Sequence, residues 1–379
     1  MKTVYEDIEI NITSADKKQW FIIVSNLKPN SNTETIAEKM YEKIKDILNE
    51  YKLTIFHERI FGSIKQCGIV EEIRKRFLEN ENYSYLDGAP YWGEGISGVI
   101  LHAVRFEEED ELVNLDENGV WGCIWKSNAA DYIMLHSVRG NCTEDYYSQT
   151  KQMFENAYDI LNKYGFSFNN VIRTWIYINE ILLQYNEFNR ARNEIFTKYG
   201  LLKTDREENP EDIFLPASTG IGCNNIFGCS AVTDFFAVKI KDSSKVKIVV
   251  ETGKGQKSAY RYGSAFSRSI VLSCEGVNYI YLSGTASIND KGETVYQDDI
   301  EGQIEKTFSV IDGLIKTYNA ELRNVCEGIV FIKNENYYED FIKFTEKNQL
   351  TLPTFCVKAD VCRDDLLFEM DAILIAENL

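Results

Sequence analysis

The chain has 379 residues, 44% hydrophobic and 26% charged, a composition that excludes a disordered protein and leaves room for two or three domains of ordinary size. Its formal charge of −18 repels phosphate backbones and excludes general nucleic-acid binding, so an anionic substrate would have to be met by a local field of arginines. Nine scattered cysteines without a CxxC pair, with only His57, His102 and His136 as histidines, read as free thiols in a reducing compartment. They do not read as a disulfide framework or a zinc cluster, and no metal or organic cofactor is expected.

In chain order, the start MKTVYEDIEI is polar and acidic, without a secretory h-region. No apolar run is long enough to span a bilayer. A cytoplasmic protein without a membrane partner is therefore expected. A first copy of a repeated unit (residues 1–106) runs from Phe21 through a helix at Met40–Tyr51 and a strand at Thr54–Gly62 to Ser97–Phe106. The polar stretch Glu107–Gly119 reads as a boundary, its acidic run Glu107–Glu111 as a solvated linker and not a binding tail. A second copy (119–240) runs from Trp121 through Arg173–Ile178 and a helix at Tyr185–Tyr199 to Phe235–Ile240, and the polar stretch Lys241–Gln256 reads as the second boundary. The third copy (257–379) opens with short strands at Ile270–Cys274 and Tyr279–Ser283. A helix follows, marked by Ile300, Ile304, Phe308, Ile311 and Ile315 at helical spacing. Next come a β-branched strand at Asn324–Ile332, a helix near Tyr337–Glu346, and closing strands near Thr354–Asp360 and Leu366–Ile375.

The copies are visible as self-similarity. MYEKIKDILNEY (Met40–Tyr51) and MFENAYDILNKY (Met153–Tyr164) agree at seven of twelve positions without a gap. Gln149–Ile178 and Gln303–Ile332 share one register, with Gln149, Phe154, Tyr164, Asn170, Val171 and Ile178 answering to Gln303, Phe308, Tyr318, Asn324, Val325 and Ile332. The reading is an α+β fold of three tandem β-β-α-β-α-β-β units. Each leaves one sheet face bare, and three units closing into an intramolecular pseudo-trimer would cover those faces. A monomer is expected.

The unit pattern and the segment VCRDDLLFEMDAI resemble the YjgF/RidA superfamily. SAYRYGSAFSRS (Ser258–Ser269), YLSGTASI (Tyr281–Ile288), Gln303 and Cys362-Arg363 with Glu369 resemble the C-terminal part of its chorismatase branch, as do RTWIYI, YNEFNRARNEIF and LPASTGIG in the second unit. The resemblance implies cleavage of the enolpyruvyl ether of chorismate, or of a related cyclic carboxylate, with release of pyruvate by hydrolysis or elimination. Simple imine deaminases of the superfamily hold a carboxylate with an arginine near the start of the penultimate strand. Pro353-Thr354-Phe355-Cys356 has none, which lowers that alternative.

Several residues carry the chemistry this requires. Glu369 shares a strand face with Leu367. If that face is inward, an apolar cleft raises its pKa and lets it protonate an enol ether; otherwise it is an exposed or salt-bridged strand residue. The resemblance places Cys362 in the site; a small buried cysteine is the plain alternative. Arg173, Arg192, Arg261 and Arg268 are candidates for carboxylate binding, and helical spacing puts Tyr185, Phe188, Asn189 and Arg192 on one face. Thr219-Gly220 and Gly284-Thr285 lie in small-residue turns that let backbone N–H groups approach a ligand. His57, His102 and His136 read as structural. The remaining alternatives are an imine or enamine deaminase, and a non-catalytic small-anion-binding module in which Glu369 and Arg192 tolerate alanine.

Overall fold

Strand-length apolar runs broken by turns, each set followed by an amphipathic helix, build three sheets. A computed structural model describes residues 1–28, 31–91, 93–202, 214–251 and 265–377. Unit 1 comprises β1 (Lys2–Tyr5), β2 (Ile8–Thr13), β3 (Gln19–Asn26), α1 (Thr33–Tyr51), β4 (Thr54–Gly62), α2 (Cys67–Phe77), β5 (Ser84–Asp87) and β6 (Ile96–Val104). Unit 2 comprises β7 (Glu111–Glu117), β8 (Val120–Lys126), β9 (Ala130–Val138), α3 (Tyr146–Lys163), β10 (Val171–Ile178), α4 (Ile181–Lys198), β11 (Ala217–Gly222) and β12 (Ala231–Ile240). Unit 3 comprises β13 (Val246–Glu251), β14 (Ser269–Cys274), β15 (Val277–Leu282), β16 (Thr285–Ala286), α5 (Ile300–Ile315), β17 (Val325–Ile332), α6 (Tyr338–Lys347), β18 (Thr354–Lys358) and β19 (Phe368–Glu377).

The sheet orders are β1-β2-β3-β6-β4-β5, β7-β8-β9-β12-β10-β11 and β13-β14-β15-β19-β17-β18, one topology three times, with β16 added onto β19. Even the irregularities repeat: β4, β10 and β17 each bulge within their first three residues, at Ile55/His57, Val171/Arg173 and Val325/Glu327. The α+β class and the three related units stand as read. Two expectations are corrected. The boundary stretches supply the edge strands β7 and β13, so units 1 and 2 have one more strand than the pattern suggested and unit 3, with β16, has two more. The charge of β7 suits an edge, where one side of the strand meets water. Cys142 and Cys229 form a disulfide, where free thiols were expected. They follow β9 and precede β12, antiparallel neighbours whose ends converge at Val138 and Thr233.

One face of each sheet is covered by its own two helices. The bare faces meet in a shared core to which unit 1 gives Phe21, Phe56 and Phe61, unit 2 Tyr132, Trp175 and Phe236, and unit 3 Tyr281, Ile329 and Ile373. Each such side chain contributes about 1.5–3 kcal/mol by leaving water. Contacts of β4 with β9, β11 with β15, and β18 with both β3 and β6 make the three seams of a closed ring.

The core is not wholly apolar. The first residue after each bulge points into it: His57, Arg173 and Glu327, all buried. Each is paired across a different seam. His57 Nε2 lies 2.9 Å from Asp234 Oδ2. Arg173 Nη2 donates to Asp371 Oδ1 at 2.7 Å. Glu327 accepts from Arg59 Nη2. The three pairs form a cycle, unit 1 to 2, 2 to 3 and 3 to 1. His102, the third histidine, is structural as read: it is buried against Phe21, with Nε2 3.0 Å from Gln19 Oε1.

Candidate functional site

The seam between units 2 and 3 holds a pocket at the start of β19. In that strand Phe368 and Met370 pack beneath the unit-3 helices, so the intervening Glu369 turns toward the seam, 4% exposed. Unit 2 supplies Ile176, Ser218 and Gly220 from its sheet and Tyr185, Phe188 and Arg192 from α4. Unit 3 supplies Phe266, Arg268, Gly284, Ala286, Ile288, Cys362 and Arg363 besides Glu369. The helical spacing works as expected: Tyr185, Phe188 and Arg192 face the pocket, and Asn189 Oδ1 accepts from Arg192 Nη2 at 2.7 Å.

Burial raises the Glu369 carboxyl to about 8; the Asp371 carboxylate adds to the rise, and Arg173 and Arg268 oppose it. The group therefore holds a proton at neutral pH. Burial, with the charge of Arg363, lowers Arg268 to about 10, still a cation at pH 7. Arg192 is lowered by burial, and its Nε meets no hydrogen-bond partner among the described residues. Burial and Glu369 push the Cys362 thiol up to about 12, so Cys362 stands beside the acid as a neutral thiol and not as a nucleophilic thiolate. The arrangement is a neutral carboxylic acid in a largely apolar pocket with two buried guanidiniums and Arg363 at its edge.

Gly284 is fixed by this geometry. A Cβ there would stand 2.1 Å from Glu369 Oε1 and 3.1 Å from Thr219 Cγ2. The glycine makes room for the acid. It is not a free donor, because its N–H is directed to Ser218 O at 3.3 Å, and the Ser218 N–H to Ser283 Oγ at 2.8 Å. The turns thus stitch the seam together. Gln303 pins the other wall, accepting from the Leu367 N–H and donating to Asp365 O, both at 2.8 Å. Gln149 likewise accepts from the Ser230 N–H before β12.

Of the residues expected at a site, Glu369, Cys362, Tyr185, Arg192, Gly220, Arg268 and Gly284 come together. Arg173 does not: it lies on the β10 face opposite Ile176 and is consumed in the core pair with Asp371. Thr219 also faces inward, accepting from Arg173 Nη2 at 2.6 Å. Thr285 turns away and donates to Ser283 O at 2.8 Å. Arg261 lies outside the described residues. Arg363 was not among the expected carboxylate binders. Cys362-Arg363 precede β19 in a bend, so both reach the pocket, and Arg363 Nη1 donates to Gly292 O at 2.7 Å.

The other seams lack the acid. The register position of Glu369 opposite Phe331 is Val232 opposite Tyr177 in unit 2 and Gly98 opposite Phe61 in unit 1. At Gly98 a Cβ would meet the Phe355 ring at 2.7 Å. A larger cavity, about 210 Å³ against about 60 Å³, does lie in the seam between units 3 and 1. Its Lys2 and Glu9 are paired at 2.8 Å and its remaining lining is mainly aromatic and aliphatic, so size does not mark the chemistry here.

The model of the family described as endoribonuclease L-PSP matches residues 136–224 and 264–376. Among solved structures, a chorismatase crystal structure superposes with a TM-score of 0.62 at 16% identity, covering 96% of this chain and 99% of that one. A putative endoribonuclease from Thermotoga maritima covers 34% of this chain and 97% of its own at 22% identity, TM-score 0.29. A YjgF-family member from Neisseria meningitidis covers 35% and 98% at 17% identity, TM-score 0.27. No curated protein matches the chain. No helix among the described residues is long and apolar enough to cross a membrane.

Proposed function

The chain belongs to the endoribonuclease L-PSP family, and from that premise we propose that it is a chorismatase-like enzyme that cleaves the enolpyruvyl ether of chorismate or a related cyclic carboxylate and releases pyruvate. The observation that carries this reading is Glu369, a carboxyl raised to about 8 beside Arg268 in a pocket of small and apolar residues. An enol ether needs an acid that is still protonated at neutral pH and a surround that accepts carboxylates. The family's description names an RNA substrate; a formal charge of −18 opposes that choice.

In the proposed reaction Glu369 gives its proton to the terminal methylene carbon, whose new C–H bond takes the double-bond electrons. The adjacent carbon becomes an oxocarbenium ion shared with the ether oxygen. Water adds to it, the Glu369 carboxylate takes the water's proton, and the hemiketal collapses to pyruvate and the ring alcohol. One water is consumed and the acid is regenerated. In the eliminating variant no water adds: the ring C–O bond breaks, its electrons complete the pyruvate carbonyl, and the Glu369 carboxylate takes the adjacent ring proton as the ring double bond forms. Arg192, Arg268 and Arg363 hold the substrate carboxylates, and Cys362, as a neutral thiol, lines the pocket.

The test is pyruvate formation on incubating the purified chain with chorismate, with the ring product identified as aromatic or not. Ammonia and a keto acid released from an imine substrate, without pyruvate from chorismate, would favour the deaminase alternative. Gly284→Ala is expected to lower kcat about 10²-fold by displacing the carboxyl by an ångström or so, with the thermal melt showing a folded protein. Undiminished kcat would remove Glu369 from the chemistry.

A further inference from the structure

The seam between units 1 and 2 has a different content at its inner end. His57 from β4, His136 from β9 and Asp234 from β12 converge there, with one ligand-capable atom from each lying within 4.8 Å of the others. We propose that these three residues form a binding site for one divalent first-row transition-metal ion, of which Zn²⁺ is the expected occupant, joining unit 1 to unit 2.

Two imidazoles and one carboxylate are a donor set of the kind such ions take. His136 is the independent observation. It is 1% exposed, and among the described residues no hydrogen bond of normal geometry reaches either ring nitrogen, although buried polar groups are nearly always partnered. The Phe56 carbonyl interacts with the ring and also accepts from Cys123 Sγ at 3.3 Å, an outer acceptor of the kind a metal-bound imidazole keeps for its second N–H. His57 lies next to it, ring centroids 5.3 Å apart, and Asp234 Oδ2 stands 2.9 Å from His57 Nε2.

Asp234 is oriented as a ligand should be. Its other oxygen, Oδ1, accepts from Ser84 Oγ and from the Ser137 N–H, both at 2.7 Å, which holds Oδ2 toward the histidines. Tetrahedral ligand atoms about 2.1 Å from an ion stand about 3.4 Å apart, so on loading the widest separation, within 4.8 Å, closes by up to about 1.4 Å and the 2.9 Å His57–Asp234 pair opens slightly. The nearest cations are already neutralised: Arg59 pairs with Glu327 and Arg173 with Asp371. Trp175, with its ring centroid 4.7 Å from that of His57, closes another side. Because all three ligands are buried, the ion would enter as the units assemble, and its role is to fix the seam and not to serve the Glu369 pocket.

The experiment unfolds the full chain in denaturant with EDTA, then refolds it with Co²⁺ or Zn²⁺ and desalts it. Elemental analysis is expected to give one equivalent per chain, with a Co²⁺ d–d band, an X-ray absorption shell of nitrogen and oxygen showing imidazole scattering, and a higher thermal midpoint than the EDTA-refolded chain. His136→Ala is expected to lose the equivalent and the band; if it fails to fold, the wild-type absorption shell decides. No retained metal in the wild type would leave a buried water as the partner of His136 and overturn the proposal. Sulfur in the shell, or full stoichiometry in His136→Ala, would place the metal on cysteines and overturn it equally.

Discussion

Replacing Glu369 by Gln is expected to cut pyruvate release from chorismate roughly 10²–10⁴-fold, the range a positioned general acid supplies, while leaving the fold intact. Gln keeps the shape and loses only the transferable proton. The pH dependence gives a second signature. The protonated form is the acid, so kcat should be highest below about 8 and fall as pH rises through it, as the raised carboxyl of Glu369 ionises. The same rise has a stability consequence with a definite sign. Because the folded-state value lies above the ordinary 4.5, the contribution is fully present below that ordinary value, declines as pH rises between the two, and is lost above about 8. Urea unfolding at low and high pH should therefore show the wild type losing stability relative to Glu369→Gln as pH rises. A variant with undiminished turnover would end the general-acid reading, and a wild-type activity that persists unchanged above pH 9 would contradict the burial argument.

Asp371→Leu is expected to destabilise the chain by about 3–5 kcal/mol, because it leaves the fully buried Arg173 guanidinium without its carboxylate. Arg173→Met alone is expected to cost somewhat less, since Asp371 keeps Arg59 at 3.8 Å. Combining the two should recover most of the loss: a buried ion pair is costly to break and close to neutral to replace by apolar groups. Denaturant unfolding of the four chains measures this. Equal and additive losses would show that the pair is not coupled. Asp371 also helps hold the Glu369 carboxyl high and Arg173 opposes it, so the alkaline limb of the activity profile should move to lower pH on removing Asp371 alone and return most of the way in the folded double variant.

The fold was legible because its signals are local. The strand around Thr54–Gly62 and the helix marked by Ile300 to Ile315 are written in periodicities of two and 3.6 residues, and the repetition supplied the architecture. Much of the pocket was legible too, since Tyr185, Phe188 and Arg192 share a helix face by spacing alone and Glu369 alternates with Phe368 and Met370. What failed was information held elsewhere in the chain. Arg173 has the residue type of a carboxylate binder, but its partner lies 198 residues away, and no local pattern says that its face of β10 is covered. Arg363 was missed because it lies in a bend before the closing strand, where no periodicity says which way a side chain points. The acidic residues of β7 have weak strand propensity and are recruited by pairing with β8. The grouping of His57 with Asp234 spans 177 residues and leaves no trace in sequence spacing.

The substitutions His, Arg and Glu at one register position carry a consequence for who can assemble with whom. In a ring of identical protomers every position is occupied by three copies of the same side chain, so Arg173 or Glu327 would face two of its own kind in a water-free interior. Tandem fusion lets each copy differ, and the cycle of pairs is satisfied only by the order one-two-three. An exchange between neighbouring molecules that put two second units or two third units in one ring would strand like charges with no counter-ion, at several kcal/mol each. The buried polar cycle thus works as an address label: it favours one unit of each kind in a ring, and it frees a single interface to specialise without the other two following.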